Sequence, residues 1–218
     1  MENTNPVHSW RRIGAWMRPR TRILAPFFTL VILVLFFWAV TGSFFTLRNF
    51  RNILEQASLL AILATGVTLV LLLGEIDLSF ANVATLIGMI MALLADHQVH
   101  TAAVVLVCVG SALVVGFTNG YVTSYVRVPS FMATLAMYQI AYGVAHYISK
   151  AIPVFSVPQV FSVLGNKNLG FVPWVVICAV VVMGGAHFVL KYTRFGRYVY
   201  MTGGNREAAR VSGSTPGW

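Results

Sequence analysis

The sequence predicts an all-α polytopic membrane protein, and its composition, its hydrophobic pattern and its charge placement each favour this fold class. Of the 218 residues, 58% are hydrophobic and 10% are charged, with a mean hydropathy of +0.78, which is too apolar for a soluble domain of this size. Apolar runs of about span length alternate with short polar segments. The net charge of +9 comes from basic residues beside these runs, so we interpret it as an orientation signal and exclude a nucleic-acid-binding role.

Six apolar runs are predicted to cross the membrane between two polar terminal segments. Residues 1–23 form a basic N-terminal segment, and residues 191–218 form a polar loop. A cleaved signal peptide is the alternative for the start of the chain. Against it, the first run is about span length and no small-residue cleavage site follows it. The transmembrane domain covers residues 24–190, with predicted spans at 24–40, 57–73, 80–95, 101–122, 131–148 and 171–190.

Basic residues predict the orientation of these spans. Six crossings place both ends of the chain on the same side of the membrane. The two terminal segments and the turn at Arg127 carry 11 of the 15 Lys and Arg residues. Because cytoplasmic segments are enriched in Lys and Arg, both ends are predicted to be cytoplasmic. The opposite side carries Arg48, Arg51, Lys150 and Lys167.

The polar loop contains a signal for a short helix that follows a Gly203-Gly204 hinge. Asn205 can cap this helix, Glu207 lies in its first turn where the helix dipole favours an anion, and Gly213 can end it in a left-handed conformation. A helix this short is not stable alone in water. We therefore expect it to dock on a partner, to which it offers charge from Arg206, Glu207 and Arg210 and a small apolar strip from Ala208, Ala209 and Val211.

Two carboxylates, Glu75 and Asp77, interrupt the apolar pattern between the second and third predicted spans. They lie either at the membrane surface, where Asp77 or Ser79 caps the third helix, or inside the protein along a polar path. Both interpretations hold if the helix begins inside the protein, as in transporters with discontinuous helices. Asn119 lies beside a stripe of small residues in the fourth span, where it can bond a neighbouring helix or a solute hydroxyl.

Enzyme and metal-site motifs are absent from the sequence. There is no phosphate-binding loop, zinc-protease motif or nucleophile elbow, so we predict no catalytic residues. His97 and His100 have no evident third ligand nearby, so we predict no metal site. Cys108 and Cys178 fall inside apolar runs, where small buried thiols are expected. A membrane protein without energy chemistry of its own, but with a helix built to dock, suggests a transport subunit driven by a separate ATPase.

Several ordered motifs resemble those of one transporter family. Residues 203–213 resemble the G-G-N-x-E-A-A-R-L-S-G signature of permease subunits from bacterial ABC importers for monosaccharides, the ribose, xylose and arabinose group. Residues 193–197 resemble the T-x-F-G-R lead-in of the same family. The remaining blocks resemble G-I-D-L-S at residues 75–79, with Glu75 in place of a frequent Gly, and N-G…V-P-S-F-x-x-T-L at residues 119–120 and 128–135.

The resemblance implies a transport assembly in the bacterial inner membrane. Its members have about ten membrane helices in two inverted halves, and they work with a second permease copy, a periplasmic sugar-binding protein and a cytoplasmic ABC ATPase that binds ATP and Mg²⁺. No cofactor is expected in this chain, and its surroundings are membrane lipid. The implied ATPase-coupling residues are Gly203, Gly204, Asn205, Arg206, Glu207, Ala208, Ala209, Arg210, Val211 and Ser212. The solute-path candidates are Asp77, Ser79, Asn82, Asn119, Ser130, Phe131 and Thr134.

The chain stops at Trp218, just after the implied coupling helix. Because the family continues through roughly four more spans, we expect this chain to correspond to the N-terminal part of such a permease. One alternative is a truncated fragment that binds the ATPase or a partner permease without transporting. Others are a permease for another small polar solute and an independent small transporter that works as an oligomer.

Overall fold

The computed structural model describes residues 7–158, 161–162 and 168–205 of the chain. Within these ranges the fold is helical apart from one short hairpin, in which β1 (Asn168–Leu169) pairs antiparallel with β2 (Val172–Pro173). The helices are α1 (Val7–Val40), α2 (Leu47–Leu72), α3 (Phe80–Asp96), α4 (Thr101–Ser124), α5 (Ser130–Ile148), α6 (Trp174–Tyr192) and α7 (Arg194–Gly204).

Three of the described helices, α2, α4 and α6, are long and apolar enough to cross a membrane. The helix α3 and the 24–40 part of α1 are apolar but shorter. The helix α5 has 19 residues, but Gln139 and His146 make it more polar. The predicted fold class, an all-α polytopic membrane protein, is confirmed.

Three polar regions are more helical than the sequence predicted. The first is the basic N-terminal segment, which is helical from Val7, where α1 begins. The second is the polar segment between the first two predicted spans, which is helical from Leu47, where α2 begins. Arg48 and Arg51 break the apolar run but not the helical spacing of the apolar residues around them. Residues 191–218 were expected to be loop until the coupling helix, yet α7 occupies Arg194–Gly204. Its start is capped by the Thr193 hydroxyl, which accepts a hydrogen bond from the Gly196 N–H at 3.2 Å.

The chain divides into two compact units, residues 1–53 and 54–218. In the first unit, aromatic rings pack around the turn that follows α1. Phe37 stacks on Phe44 with ring centroids 6.2 Å apart, and Trp38 meets Phe45 edge to face.

The core of the second unit is built where α3 packs on both α4 and α5. Leu86 of α3 is buried against Ala141 and Ala145 of α5, and Val83, Ile90 and Ile148 surround this contact. Small residues on α5 allow the two helix backbones to approach closely, which is a principal source of helix association in membranes. The contact between α3 and α5 therefore fixes the position of the start of each helix.

Short connections set the direction of these helices. Because residues 97–100 and 125–129 join α3, α4 and α5, consecutive helices run antiparallel. The start of α3, the end of α4 and the start of α5 thus share one end of the unit. At the opposite end, the Ser156 hydroxyl donates to the Asp96 carboxylate at 2.8 Å. His100 caps α4 by accepting from the Ala102 N–H at 3.3 Å.

The two cysteines are in different environments. Cys108 is half-buried, whereas Cys178 is exposed on α6. The expectation of a buried thiol is therefore wrong for Cys178, because an apolar run in a membrane helix presents one face to lipid. Among the described residues, no group of three or more His, Cys, Asp or Glu side chains is placed to hold a metal ion.

Candidate functional site

The helices α2 and α3 are separated by a non-helical break, residues 75–79. The helix α2 ends in a Schellman motif, in which the Glu75 N–H bonds the Val70 carbonyl at 3.2 Å and the Gly74 N–H bonds the Leu71 carbonyl at 2.9 Å. Gly74 has φ +79°, a left-handed conformation that glycine adopts without steric cost. The chain then continues without helix or strand structure until α3 begins at Phe80.

Side chains at the start of α5 satisfy the backbone of this break. The Ser130 hydroxyl accepts from the Ile76 N–H at 3.1 Å, and the Thr134 hydroxyl accepts from the Leu78 N–H at 3.2 Å. Thr134 also lies 3.2 Å from the Ile76 carbonyl oxygen. Non-helical backbone at membrane depth is tolerated only where the protein or a water-filled cavity satisfies its polar groups. The first turn of α5 supplies these partners.

Asp77 holds the start of α3 through Ser79. Its Oδ1 atom accepts hydrogen bonds from the backbone N–H and from the hydroxyl of Ser79, both at 2.7 Å. Ser79 is 1% exposed, and its hydroxyl also accepts from Asn119 Nδ2 on α4 at 3.0 Å. The Ser79 side chain does not cap the free N–H groups of α3. A relay of hydrogen bonds therefore joins α4 to the break, from Asn119 through Ser79 to Asp77.

A cavity of about 660 Å³ lies beside the break. Its walls come from the end of α2, the break, the last turns of α4, the turn at residues 127–129, the start of α5 and Thr202 of α7. This volume falls within the range of small-molecule sites. Carboxylates, an amide, a guanidinium and hydroxyls meet in mostly apolar walls, a combination suited to a small polar solute. The polar lining residues are Glu75, Asp77, Asn119, Thr123, Ser124, Arg127, Ser130, Thr134 and Thr202.

The seven solute-path candidates fall into two groups. Asp77, Asn119, Ser130 and Thr134 line the cavity. The other three do not. Ser79 is buried behind Asp77, and Asn82 donates to the Tyr138 carbonyl at 3.1 Å. Phe131 is 45% exposed but is not one of the residues that line the cavity. For all seven candidates, direct contact with a solute stays a prediction.

Arg127 and Thr202 are cavity residues that the sequence analysis did not select. Arg127 lies in the turn after α4 with φ +62°, and Thr202 lies in the last turn of α7. Arg127 could have been found from its position, because the turn after α4 must reach the same end of the unit as the break. Thr202 carried no such signal, because its place depends on how α7 packs.

Gly203 and Gly204, which were predicted to form a hinge, are both helical and form the last turn of α7. Asn205 follows in an extended conformation, with φ −160° and ψ 107°, and its N–H bonds the Met201 carbonyl at 3.0 Å. The other predicted coupling residues, Arg206, Glu207, Ala208, Ala209, Arg210, Val211 and Ser212, lie outside the described residues.

Comparison with known proteins identifies the family. The family model described as "Branched-chain amino acid transport system / permease component" matches residues 49–218. The ribose import permease protein RbsC of Escherichia coli K12 is 33% identical over 204 residues, covering 91% of this chain and 62% of the relative. The L-arabinose ABC transporter permease protein AraH of Azospirillum brasilense is 35% identical over 191 residues, covering 84% of this chain and 55% of the relative.

A third relative, the xylose transport system permease protein XylH of Haemophilus influenzae, is 26% identical over 246 residues, covering 84% of this chain and 65% of the relative. This chain thus spans about three fifths of the length of the curated relatives it matches. No solved structure matches the chain. Because the family model covers most of its length, the chain belongs to this family of transport permease components, together with permeases of ribose, arabinose and xylose ABC importers.

Proposed function

We propose that the chain is the transmembrane permease subunit of an ABC importer that carries a monosaccharide across the bacterial inner membrane. The observation that supports this function best is the cavity beside the break, in which polar side chains meet in mostly apolar walls, in a chain similar to sugar permeases. Solute sites of many transporters lie where membrane helices are interrupted. A sugar has several hydroxyl groups, and each can both donate and accept a hydrogen bond.

The cavity supplies partners of both kinds for such hydroxyls. Asp77 offers a carboxylate acceptor, Arg127 offers guanidinium donors, and Asn119 offers an amide at the cavity wall. Because Ser130 and Thr134 already hold the backbone of the break, a change in the break alters the same cavity wall. Opening and closing of the solute path can therefore be tied to the conformation of residues 75–79.

Energy for transport comes, on this proposal, from a separate cytoplasmic ATPase that binds ATP and Mg²⁺. The coupling segment, residues 205–212, docks on that ATPase, with Glu207 and Arg210 supplying charged contacts. The other partners are a periplasmic sugar-binding protein and a second permease copy. Both ends of the chain then face the cytoplasm, which places the break, the cavity and α7 at the cytoplasmic end.

Uptake and ATPase capture test this function together. The chain is co-expressed with a candidate ATPase and sugar-binding protein in cells that lack their own permease, and uptake of labelled ribose, arabinose, xylose and leucine is measured. The Glu207→Arg variant is expected to abolish both ATPase co-purification and uptake by reversing the charge of the docking segment. The matched control is Glu2→Arg, which makes the same charge change elsewhere in the chain.

Each outcome separates one function from another. ATPase capture without uptake of any solute would indicate a binding fragment, and uptake that Glu207→Arg leaves unchanged would indicate an independent transporter. Uptake of leucine but of no sugar would assign the solute class to amino acids, as the description of the family model has it. Failure of both capture and uptake with every ATPase tested contradicts the proposal.

A further inference from the structure

The helix α7 presents a narrow face to the rest of its unit. Gly196, Val199 and Gly203 are spaced at i, i+3 and i+7, so they lie on one side of the helix. Gly196 and Val199 are both buried. The Thr193 hydroxyl donates to the Val189 carbonyl of α6 at 2.6 Å and caps α7, so the turn from α6 into α7 is closely held.

The two glycines on this face lie where the backbone of α7 approaches the backbone of another helix so closely that a side chain does not fit. A Cβ atom added at Gly196 would overlap the Leu190 carbonyl of α6. A Cβ atom added at Gly203 would overlap the carbonyl oxygen of Leu72, the last residue of α2, and would lie 2.9 Å from its carbonyl carbon. In contrast, a Cβ atom at Gly204 would meet nothing within 4 Å.

Through these contacts, α7 connects the carboxyl ends of α6 and α2. Residues 196 and 203 are about 10 Å apart along the axis of an α-helix, and each lies against the carboxyl end of a different helix. Gly203 needs glycine for the approach to Leu72, whereas Gly204 does not. The two members of the Gly-Gly pair therefore differ in structural role, because only Gly203 makes a close backbone contact.

The contact at Gly203 lies next to the break. Leu72 is two residues before Gly74, whose left-handed conformation begins the non-helical segment. Thr202, beside Gly203, lines the same cavity as Ile76 and Asp77. Asn205 follows directly after Gly204, the last residue of α7. A short path thus runs from the start of the coupling segment to the cavity wall.

We propose that Gly203 is a positioning residue that transmits displacement of the coupling segment through the end of α2 to the break at residues 75–79. This inference rests on the proposed function, because the ATPase supplies the displacement. The bare backbone at Gly203 keeps the last turn of α7 in direct contact with Leu72, so the two move together. A side chain at this position separates them and uncouples the break from the loop.

The first test compares Gly203→Ala with Gly185→Ala, a helical glycine of α6 whose Cβ atom would meet nothing within 4 Å. Each variant is reconstituted in vesicles with the ATPase and the binding protein, and ATP hydrolysis and sugar uptake are measured in parallel. Gly203→Ala is expected to bind the ATPase and hydrolyse ATP while uptake per ATP falls about tenfold, a typical size for coupling between sites. Gly185→Ala keeps the wild-type ratio. An equal fall in hydrolysis and uptake for Gly203→Ala would indicate a docking role and overturn the proposal.

A second test needs no ATPase. Ile76→Cys places a thiol in the break in a background with Cys108→Ser and Cys178→Ser, and maleimide labelling is measured on the chain purified in detergent. Gly203→Ala is expected to change the labelling rate at position 76, whereas Gly204→Ala is not, because only the first substitution disturbs the Leu72 contact. Equal labelling rates in the two variants would overturn the proposal.

A third measurement keeps Gly203 intact, in case its variant does not fold. Spin labels at Leu73→Cys and Thr202→Cys report the separation of α2 and α7, with and without the ATP-bound ATPase. Rigid transmission requires that this separation stays constant, and a change in it would contradict the proposal. If no ATPase binds the chain but the labelling rates differ as expected, the proposed function fails while the contact between Gly203 and the break stands.

Discussion

The side-chain hydroxyl of Thr134 accepts a hydrogen bond from the backbone N–H of Leu78, with 3.2 Å between the two heavy atoms. Thr134 is 4% exposed, and its hydroxyl also donates to the Ser130 carbonyl of its own helix at 2.8 Å. One buried side chain thus links the first turn of α5 to the break. Its removal leaves the Leu78 N–H without this partner.

Thr134→Val is expected to lower the free energy of unfolding by about 1–2 kcal/mol, because valine has nearly the same shape but no acceptor for the Leu78 N–H. The measurement is an SDS titration of the chain in detergent micelles, followed by circular dichroism. The control is Thr118→Val, whose hydroxyl is exposed and bonds the Val114 carbonyl of its own helix at 2.7 Å. Equal shifts in the two variants would show that the Thr134 hydroxyl does not stabilise the break.

The relay from Asn119 through Ser79 is expected to act as a unit. In a double-mutant cycle of Asn119→Ala and Ser79→Ala, the coupling energy should be about 0.5–1.5 kcal/mol, the usual range for hydrogen bonds between membrane helices. The comparison cycle pairs Asn119→Ala with Asn82→Ala, because Asn82 bonds a separate acceptor, the Tyr138 carbonyl. That second cycle should be additive. Additivity in both cycles would mean that the relay contributes nothing beyond its separate bonds.

Gly74→Ala is expected to destabilise the chain by about 1 kcal/mol through the backbone alone, because its φ of +79° disfavours any side chain while the space around it is open. Gly88→Ala is the matched control. It also meets open space but lies within α3, where alanine favours helix by up to about 1 kcal/mol. The two substitutions should therefore shift the unfolding midpoint in opposite directions. A shift in the same direction would contradict this account of the turn at Gly74.

The bond between Ser156 and Asp96 is expected to protect the connection after α5 from proteolysis. Loss of a bond of about 1 kcal/mol in Asp96→Ala should raise the rate of tryptic cleavage after the exposed residue Lys150 by about fivefold. Asp96→Asn keeps an oxygen acceptor at the same position and should stay near the wild-type rate. If Asp96→Asn is cleaved as fast as Asp96→Ala, a hydrogen bond from Ser156 does not account for the protection.

Helix positions were predictable where an apolar run has sharp polar ends. The helices α3 and α4 begin at residues 80 and 101, where the apolar runs begin. The sequence analysis missed the starts of α1 and α2 and all of α7, for a shared reason. All three segments carry basic residues, and a span-length apolar window does not detect a helix that continues into polar sequence.

The position of the site in the chain could be predicted from the sequence, but the hydrogen-bond partners of the break could not. The carboxylates Glu75 and Asp77 indicated an interruption, and Gly74 with the polar residues after it fits a helix end. The partners of the break come from residues more than 50 positions away, such as Ser130 bonded to Ile76. Those pairings depend on how α3 and α5 pack, and local sequence patterns contain no direct record of that packing. The contact of Gly203 with Leu72 is of the same kind.

The helix α5 combines modest hydrophobicity with a high degree of packing. It carries Gln139 and His146, and it is not among the described helices that are apolar enough to cross a membrane by composition. Its buried residues are Ala133, Thr134, Ala141 and Ala145. During synthesis, the translocon releases each segment into lipid according to its hydrophobicity, so α5 is a poor substrate for release on its own. We therefore expect insertion of α5 to depend on α3 and α4, which leave the ribosome first and provide the protein surface on which α5 packs.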